Sequence, residues 1–104
     1  MAWFILLLAG LLEIGFTTAM RYPGVFTQVV PTAIFLAFSL LSFVLLTVAS
    51  ETIPLGTSYA VWTGIGAAGT VIVGIFWYGE PATAVRLLFL TSLIGSIIGL
   101  KFVS

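Results

Sequence analysis

Four long apolar segments, separated by links of only a few residues, constrain this chain more than any other feature. Each segment has the roughly 20 mostly apolar residues that a helix needs to cross a hydrocarbon core about 30 Å thick. Of the 104 residues, 62% are hydrophobic and 6% are charged, whereas a water-soluble domain is about half apolar and a quarter charged. We therefore predict an all-α integral membrane protein with helices spanning roughly residues 2–20, 28–50, 54–78 and 83–103.

The links indicate how these helices are arranged. Pro23, Pro54 and Pro81 punctuate the three links, as expected where helices end. Links this short force neighbouring helices to run antiparallel, and they leave no room for a soluble catalytic domain. We predict a single transmembrane domain over residues 1–104, and because one such bundle encloses little space, we expect at least a homodimer.

The composition excludes several classes of function. Three basic and three acidic residues give a net charge of zero, which offers no basic surface to nucleic acid. The chain has no Cys and no His, so thiol chemistry and histidine acid–base catalysis are excluded. We predict no catalytic residues, no metal site and no cofactor, and an enzyme is the least favoured class because no nucleophile–base pair is evident.

The charges in the links are expected to face water or lipid headgroups. Glu51 and Glu80 are expected to be solvated, and Arg86 is expected to extend to the headgroups. Arg21 and Arg86 fall on one side of the membrane and Lys101 on the other. This bias is weak under the positive-inside rule, so we expect the chain to insert in both orientations.

Glu13 is the carboxylate that lies inside an apolar segment. It comes about eleven residues into the first helix, which is about 16 Å deep at 1.5 Å per residue. A charged side chain at that depth costs several kcal/mol, and intramembrane acids face cavities and mark transport paths. We predict a binding site for protons and cations at Glu13. The alternative, a protonated Glu13 that joins helices by hydrogen bonds, stays open.

Aromatic and hydroxyl side chains are spaced to surround this carboxylate. Residues three and four apart share a helix face, and aromatic rings attract cations. We expect these side chains to line a pocket for an organic cation. The candidates are Phe16 and Thr17 in the first helix, Ser42 and Phe43 in the second, and Tyr59, Trp62 and Thr63 in the third.

Glycines give two further signals. Gly64 and Gly66 weaken the middle of the third helix, since glycine costs about 1 kcal/mol relative to alanine, so we expect a bend or a close helix contact there. Gly95 and Gly99 form a small-xxx-small pattern suited to tight helix association. Because the fourth helix carries no buried charge, we expect it to make the dimer contact.

The chain resembles the small multidrug resistance transporters over nearly its whole length. The most specific matches are AGLLE at residues 9–13, GVFT at residues 24–27 and IPLGTSYAVWTGIG at residues 53–66. The resemblance implies an antiparallel homodimer of four-helix subunits in the bacterial inner membrane. It also implies that protons and a cationic substrate compete for Glu13 of each subunit, so that the cation is exported against proton influx.

By position, the resemblance also implies roles for individual residues. Tyr59 and Trp62 are expected in the binding site, and Ser42 is expected to hydrogen-bond to the glutamate. The resemblance places the helix bend at Gly64 and Gly66. It places the dimer contact in the segment from residue 95 to residue 99.

The resemblance leaves the substrate subtype open. Residues 62–67 and 99–101 look like the guanidinium-exporter branch, whereas residues 14–18 are closer to the multidrug branch, with Phe16 where a guanidinium exporter usually has Trp. Guanidinium or guanidinyl compounds and quaternary ammonium compounds are both expected substrates. One half of a heterodimeric pair, a structural subunit of a membrane complex and a passive channel stay open as alternatives.

Overall fold

The computed structural model describes residues 1–103, and no strand occurs within that range. Four helices make up most of it, each long and apolar enough to cross a membrane. This confirms the predicted all-α membrane fold. The helices are α1 (Ala2–Ala19), α2 (Val29–Ala49), α3 (Leu55–Trp77) and α4 (Ala84–Val103).

Prolines and left-handed residues shape the links. Pro54 precedes the first residue of α3 as its N-cap, and Pro31 lies in the first turn of α2, where a missing N–H breaks no helical hydrogen bond. In the first link, Gly24 and Phe26 have φ angles of 91° and 70°. The left-handed region is unusual for a bulky residue, and here the Phe26 N–H donates to Thr32 Oγ1 at 2.9 Å.

Helix α1 is the centre of the bundle, because it packs against both α2 and α3, which contact each other little. Glycines allow the helices to approach closely. A Cβ atom at Gly10 would lie 2.6 Å from Ile65 Cγ2 on α3. The core consists of Leu6, Ala9, Ala49, Ile53, Val61 and Trp62.

Helix α4 is peripheral. It packs mainly against α3, where a Cβ atom at Gly64 would lie 2.7 Å from Ile97 Cδ1. None of its residues, Ala84 to Val103, is buried. A Cβ atom at Gly95 or Gly99 would meet nothing within 4 Å, so the small-residue face of α4 is open.

Three of the charged residues gather at one end of the bundle. Glu80 pairs with Arg86 at 2.8 Å and with Arg21 at 3.5 Å. Glu80 is therefore held in ion pairs rather than simply solvated, and the expectation that Arg86 extends to the headgroups stays a prediction. The third link folds back so that the Glu80 N–H donates to the Gly74 carbonyl at 3.1 Å, which brings the carboxylate between the two guanidinium groups.

Candidate functional site

Glu13 lies in the middle of α1 and faces α3. Its carboxyl group packs directly against Gly66, where any Cβ atom would collide with it. Within residues 1–103, the buried Oε1 atom of Glu13 has no hydrogen-bond partner. Burying an unsatisfied polar atom costs about 1–3 kcal/mol. A proton or a cation bound at the carboxyl group would remove this cost.

Thr17 fixes the helical turn that carries Glu13. Its hydroxyl bonds to the backbone carbonyls of Glu13 at 2.9 Å and Ile14 at 3.0 Å. The same Oγ1 atom lies 2.7 Å from Thr70 Oγ1 on α3. The hydroxyl of Thr17 is thus engaged by its own helix and by α3, so Thr17 ties the Glu13 turn to the helix that carries Gly66.

Ser42 joins three helices at one buried point. Its hydroxyl donates to the Ala9 carbonyl on α1 at 2.7 Å and accepts from the Trp62 indole on α3 at 2.9 Å. Because a hydroxyl has one proton to donate, none is left for Glu13 in this arrangement. The hydrogen bond from Ser42 to Glu13 stays a prediction, and it requires the hydroxyl to rotate away from Ala9.

A row of aromatic rings crosses from α3 over α2 to α1. Ring centroids lie 5.8 Å apart for Tyr59 and Trp62, 5.7 Å for Trp62 and Phe43, 6.0 Å for Phe43 and Phe16, and 5.8 Å for Phe16 and Phe35. These distances are typical of packed aromatic pairs. Tyr59 is 57% exposed and Phe43 is 47% exposed. We call these five residues the aromatic wall.

The structure brings most of the predicted site residues together and leaves two of them, Thr63 and Gly64, elsewhere on α3. The residues brought together belong to the aromatic wall or to the contact between Glu13 and α3. Thr63 is exposed on α3 and makes none of the aromatic contacts of the wall, and Gly64 faces Ile97 of α4. Helix α3 runs without interruption through Gly64 and Gly66, and the bend expected there stays a prediction.

Phe35 is a member of the wall that the sequence analysis missed. Its ring contacts Phe16 edge-on and also lies 5.1 Å from the ring of Phe26 in the first link. A signal was present, because Phe35 precedes Ser42 by seven residues and therefore shares its helix face. The pairing of Thr17 with Thr70 gave no such signal, since it depends on the relative height of two helices.

The arrangement offers an organic cation two complementary contacts. The Glu13 carboxylate supplies a negative charge in a region of low dielectric constant, where electrostatic attraction is strong. The wall supplies π faces, which attract cations within about 6 Å. A single acid among aromatic rings suits a monovalent, partly apolar cation better than a hydrated metal ion, which prefers several oxygen ligands.

Sequence comparison agrees with this geometry. The profile of a family described as "Small Multidrug Resistance protein" matches residues 1–93. The chain belongs to the small multidrug resistance family. The resemblance noted from its motifs is therefore confirmed, and this family member is a multi-pass protein of the bacterial inner membrane and a transporter rather than an enzyme.

Several named relatives match over nearly their full length. This small multidrug resistance protein is 46% identical over 101 residues to proteins named "Guanidinium exporter" from Citrobacter freundii and Salmonella typhi, which covers 97% of the chain and 96% of each relative. It is 45% identical over 104 residues to a protein of the same name from Proteus vulgaris, with both chains covered completely.

Proposed function

We propose that this protein is a proton-coupled antiporter that exports guanidinium-class cations, and that protons and substrate compete for Glu13. The observation that carries the proposal is the buried Oε1 atom of Glu13, which has no hydrogen-bond partner within residues 1–103 and belongs to a carboxyl group packed against Gly66. Phe16 of the aromatic wall lies one helical turn further along α1. The names of the relatives, which are guanidinium exporters, support the substrate class.

Competition for one carboxyl group explains the coupling. An ionised carboxylate without a partner is costly in a membrane, so Glu13 is stable when it holds a proton or a cation and unstable when it holds neither. Arrival of the cation therefore accompanies departure of the proton. Access then alternates between the two membrane faces, and we assign the flexing point to Gly64 and Gly66 of α3.

The aromatic wall favours a second substrate class, small quaternary ammonium ions. Phe16 contributes a ring but no N–H or hydroxyl group, and its neighbours Phe35 and Phe43 are also purely apolar. A bare guanidinium ion has N–H donors that need acceptors, whereas a quaternary ammonium ion needs only charge and π contact. We therefore expect guanidinium ions with apolar substituents, and small quaternary ammonium ions, to compete with guanidinium.

An antiparallel homodimer completes the proposed transporter. Helix α4 presents Gly95 and Gly99 on an open face with no buried residue, which suits close packing against another helix. The wall of one subunit is exposed at Tyr59 and Phe43, and a second subunit would supply the opposite wall of the binding chamber. A heterodimer with a related chain is the alternative arrangement.

Transport currents in proteoliposomes test the proposal. Solid-supported-membrane electrophysiology should show currents on addition of guanidinium to the wild-type protein. The size of the tetramethylammonium current relative to the guanidinium current will rank the two substrate classes. Glu13→Gln should abolish the currents, because the amide cannot exchange a proton. Size-exclusion chromatography must show that Glu13→Gln inserts and assembles like the wild type.

Two further outcomes separate this proposal from its rivals. Purified wild-type protein should release protons when guanidinium is added, whereas a structural subunit with Glu13 as a helix contact would release none. A passive channel would carry guanidinium with no fixed ratio to protons. Wild-type currents from Glu13→Gln would end the proposal.

A further inference from the structure

A cavity, here called the outer cavity, lies on the side of α1 that faces away from Glu13. It has a volume of about 670 Å³ and is bounded by the end of α1, the start of α2 and the end of α3. Two of its α1 residues, Gly15 and Thr18, are about 200° and 140° around the helix from Glu13 at about 100° per residue. This outer cavity is therefore separate from the candidate substrate site.

The lining of the outer cavity is almost entirely apolar. Ile14, Ile34, Phe38 and Val73 line the part that lies farther from the ends of the helices. No acidic residue is among the lining residues, all of which lie in the described part of the chain. A cavity without a carboxylate does not suit a cation, and an apolar cavity gives water no polar partners. The chemistry of the lining points to a hydrocarbon chain.

The mouth of the outer cavity has a different character. Tyr22, Trp77 and Tyr78 surround it, and such aromatic residues prefer the level of the lipid headgroups. The Arg21 guanidinium stacks on the Tyr78 ring, with Cζ 4.2 Å from the ring centroid. Its side chain is 53% exposed, so it is accessible at the rim.

The neighbouring charges leave Arg21 available. Glu80 makes its short contact, 2.8 Å, with Arg86 and only a 3.5 Å contact with Arg21. Two arginines and one glutamate give this group a net charge of +1. Guanidinium groups bind phosphate oxygens through paired N–H donors, and positive side chains near the membrane surface attract anionic lipids.

We infer that the outer cavity binds an anionic phospholipid, with one acyl chain between α1, α2 and α3 and the headgroup phosphate on Arg21. The cavity volume lies in the range of about 300–1,000 Å³ that is usual for small-molecule sites. The bound lipid fills the space between the end of α1, the start of α2 and the end of α3. It thereby braces the first link, which carries both Arg21 and Tyr22.

Native mass spectrometry of the full-length protein tests this site. The protein is extracted in detergent and supplied with equal amounts of phosphatidylglycerol and phosphatidylcholine. We expect retention of about one phosphatidylglycerol per subunit, at least about tenfold over phosphatidylcholine. Ile34→Trp fills the cavity and should abolish retention, whereas Arg21→Gln should remove only the preference for the anionic lipid.

Matched variants make the result decisive. Ile72→Trp, on α3 but outside the cavity, and Lys101→Gln, at the other membrane face, should both retain the lipid like the wild type. Equal retention by Ile34→Trp, or an unchanged preference in Arg21→Gln, would overturn the inference. So would a change of oligomeric mass in Ile34→Trp without loss of lipid, because a second copy of the chain would then be the occupant.

Discussion

The Trp62 indole donates a hydrogen bond to the Ser42 hydroxyl at 2.9 Å, across the contact between α3 and α2. The Ser42 hydroxyl in turn donates a hydrogen bond to the Ala9 carbonyl on α1 at 2.7 Å. Ser42 is fully buried and Trp62 is nearly so. This hydrogen-bond relay therefore fixes the position of the Trp62 ring of the aromatic wall relative to the helix that carries Glu13.

This relay predicts a measurable coupling between Ser42 and Trp62. Ser42→Ala leaves a buried indole N–H without its acceptor, and Trp62→Phe removes the donor while keeping a ring. Hydrogen bonds between membrane helices contribute about 0.6 kcal/mol on average and up to about 1.7 kcal/mol, so we expect a coupling free energy in that range. Reversible unfolding in mixed micelles measures it as a double-mutant cycle.

Ser92→Ala is the control for this cycle. Ser92 is exposed on α4 and its hydroxyl bonds only to the Leu88 carbonyl of its own helix. Combined with Trp62→Phe, it should give additive changes in the free energy of unfolding. Additive changes for the Ser42 and Trp62 pair would mean that the hydrogen bond between Trp62 and Ser42 contributes nothing to stability.

The sequence predicted the helices well because length and hydropathy alone determine which segments can cross a membrane. It also singled out Glu13, since a charge in lipid is conspicuous at any depth. The pairings of Ser42 with Ala9 and of Glu80 with Arg86 could not be predicted. Each pairing depends on how one element is shifted along its axis and rotated relative to another. The spacing of residues within one segment carries no information about that placement.

Gly66→Ala should inactivate transport. The added methyl group would occupy the space of the Glu13 carboxyl group, and overpacking of this kind costs about 1–3 kcal/mol. Because the carboxyl group must move to relieve the clash, guanidinium currents should fall by about tenfold or more, in line with about 1.4 kcal/mol per factor of ten.

Gly56→Ala serves as the matched control on the same helix. A Cβ atom at Gly56 meets nothing within 4 Å, so this variant should transport like the wild type. Isothermal titration calorimetry with guanidinium should show weakened binding for Gly66→Ala only. Wild-type binding and currents in Gly66→Ala would show that the carboxyl group does not depend on this contact.

Thr70→Val should weaken the contact between α3 and the turn of α1 that carries Glu13. Valine has a similar shape but cannot bond to Thr17 Oγ1, which lies 2.7 Å from Thr70 Oγ1. The expected loss is about 0.6 kcal/mol of unfolding free energy, and Thr70→Ser should restore it. Thr91→Val is the comparison, because Thr91 bonds only to the Leu87 carbonyl of its own exposed helix, and it should have a smaller effect.

Acidification should weaken cation binding if protons compete for Glu13. Where the carboxyl group is mostly protonated, each added unit of acidity should lower the apparent guanidinium affinity about tenfold for each proton displaced. At higher pH, where the group is mostly ionised, affinity should become constant. Binding measured by calorimetry across this range gives the slope, and a flat profile would exclude competition.

Gly99→Leu should disrupt the dimer while leaving the subunit intact. Within residues 1–103 of one subunit a Cβ atom at Gly99 would meet nothing within 4 Å, so we expect α4 to accept leucine there and the helical content by circular dichroism to stay unchanged. Against a second α4 helix, however, the larger side chain prevents the close approach that small residues allow. Single-molecule photobleaching in liposomes should therefore show a shift from dimers to monomers, with Gly56→Leu remaining dimeric. Because the proposed chamber needs both subunits, guanidinium currents should fall in proportion to the dimer fraction, and a fully dimeric Gly99→Leu would move the contact away from this face of α4.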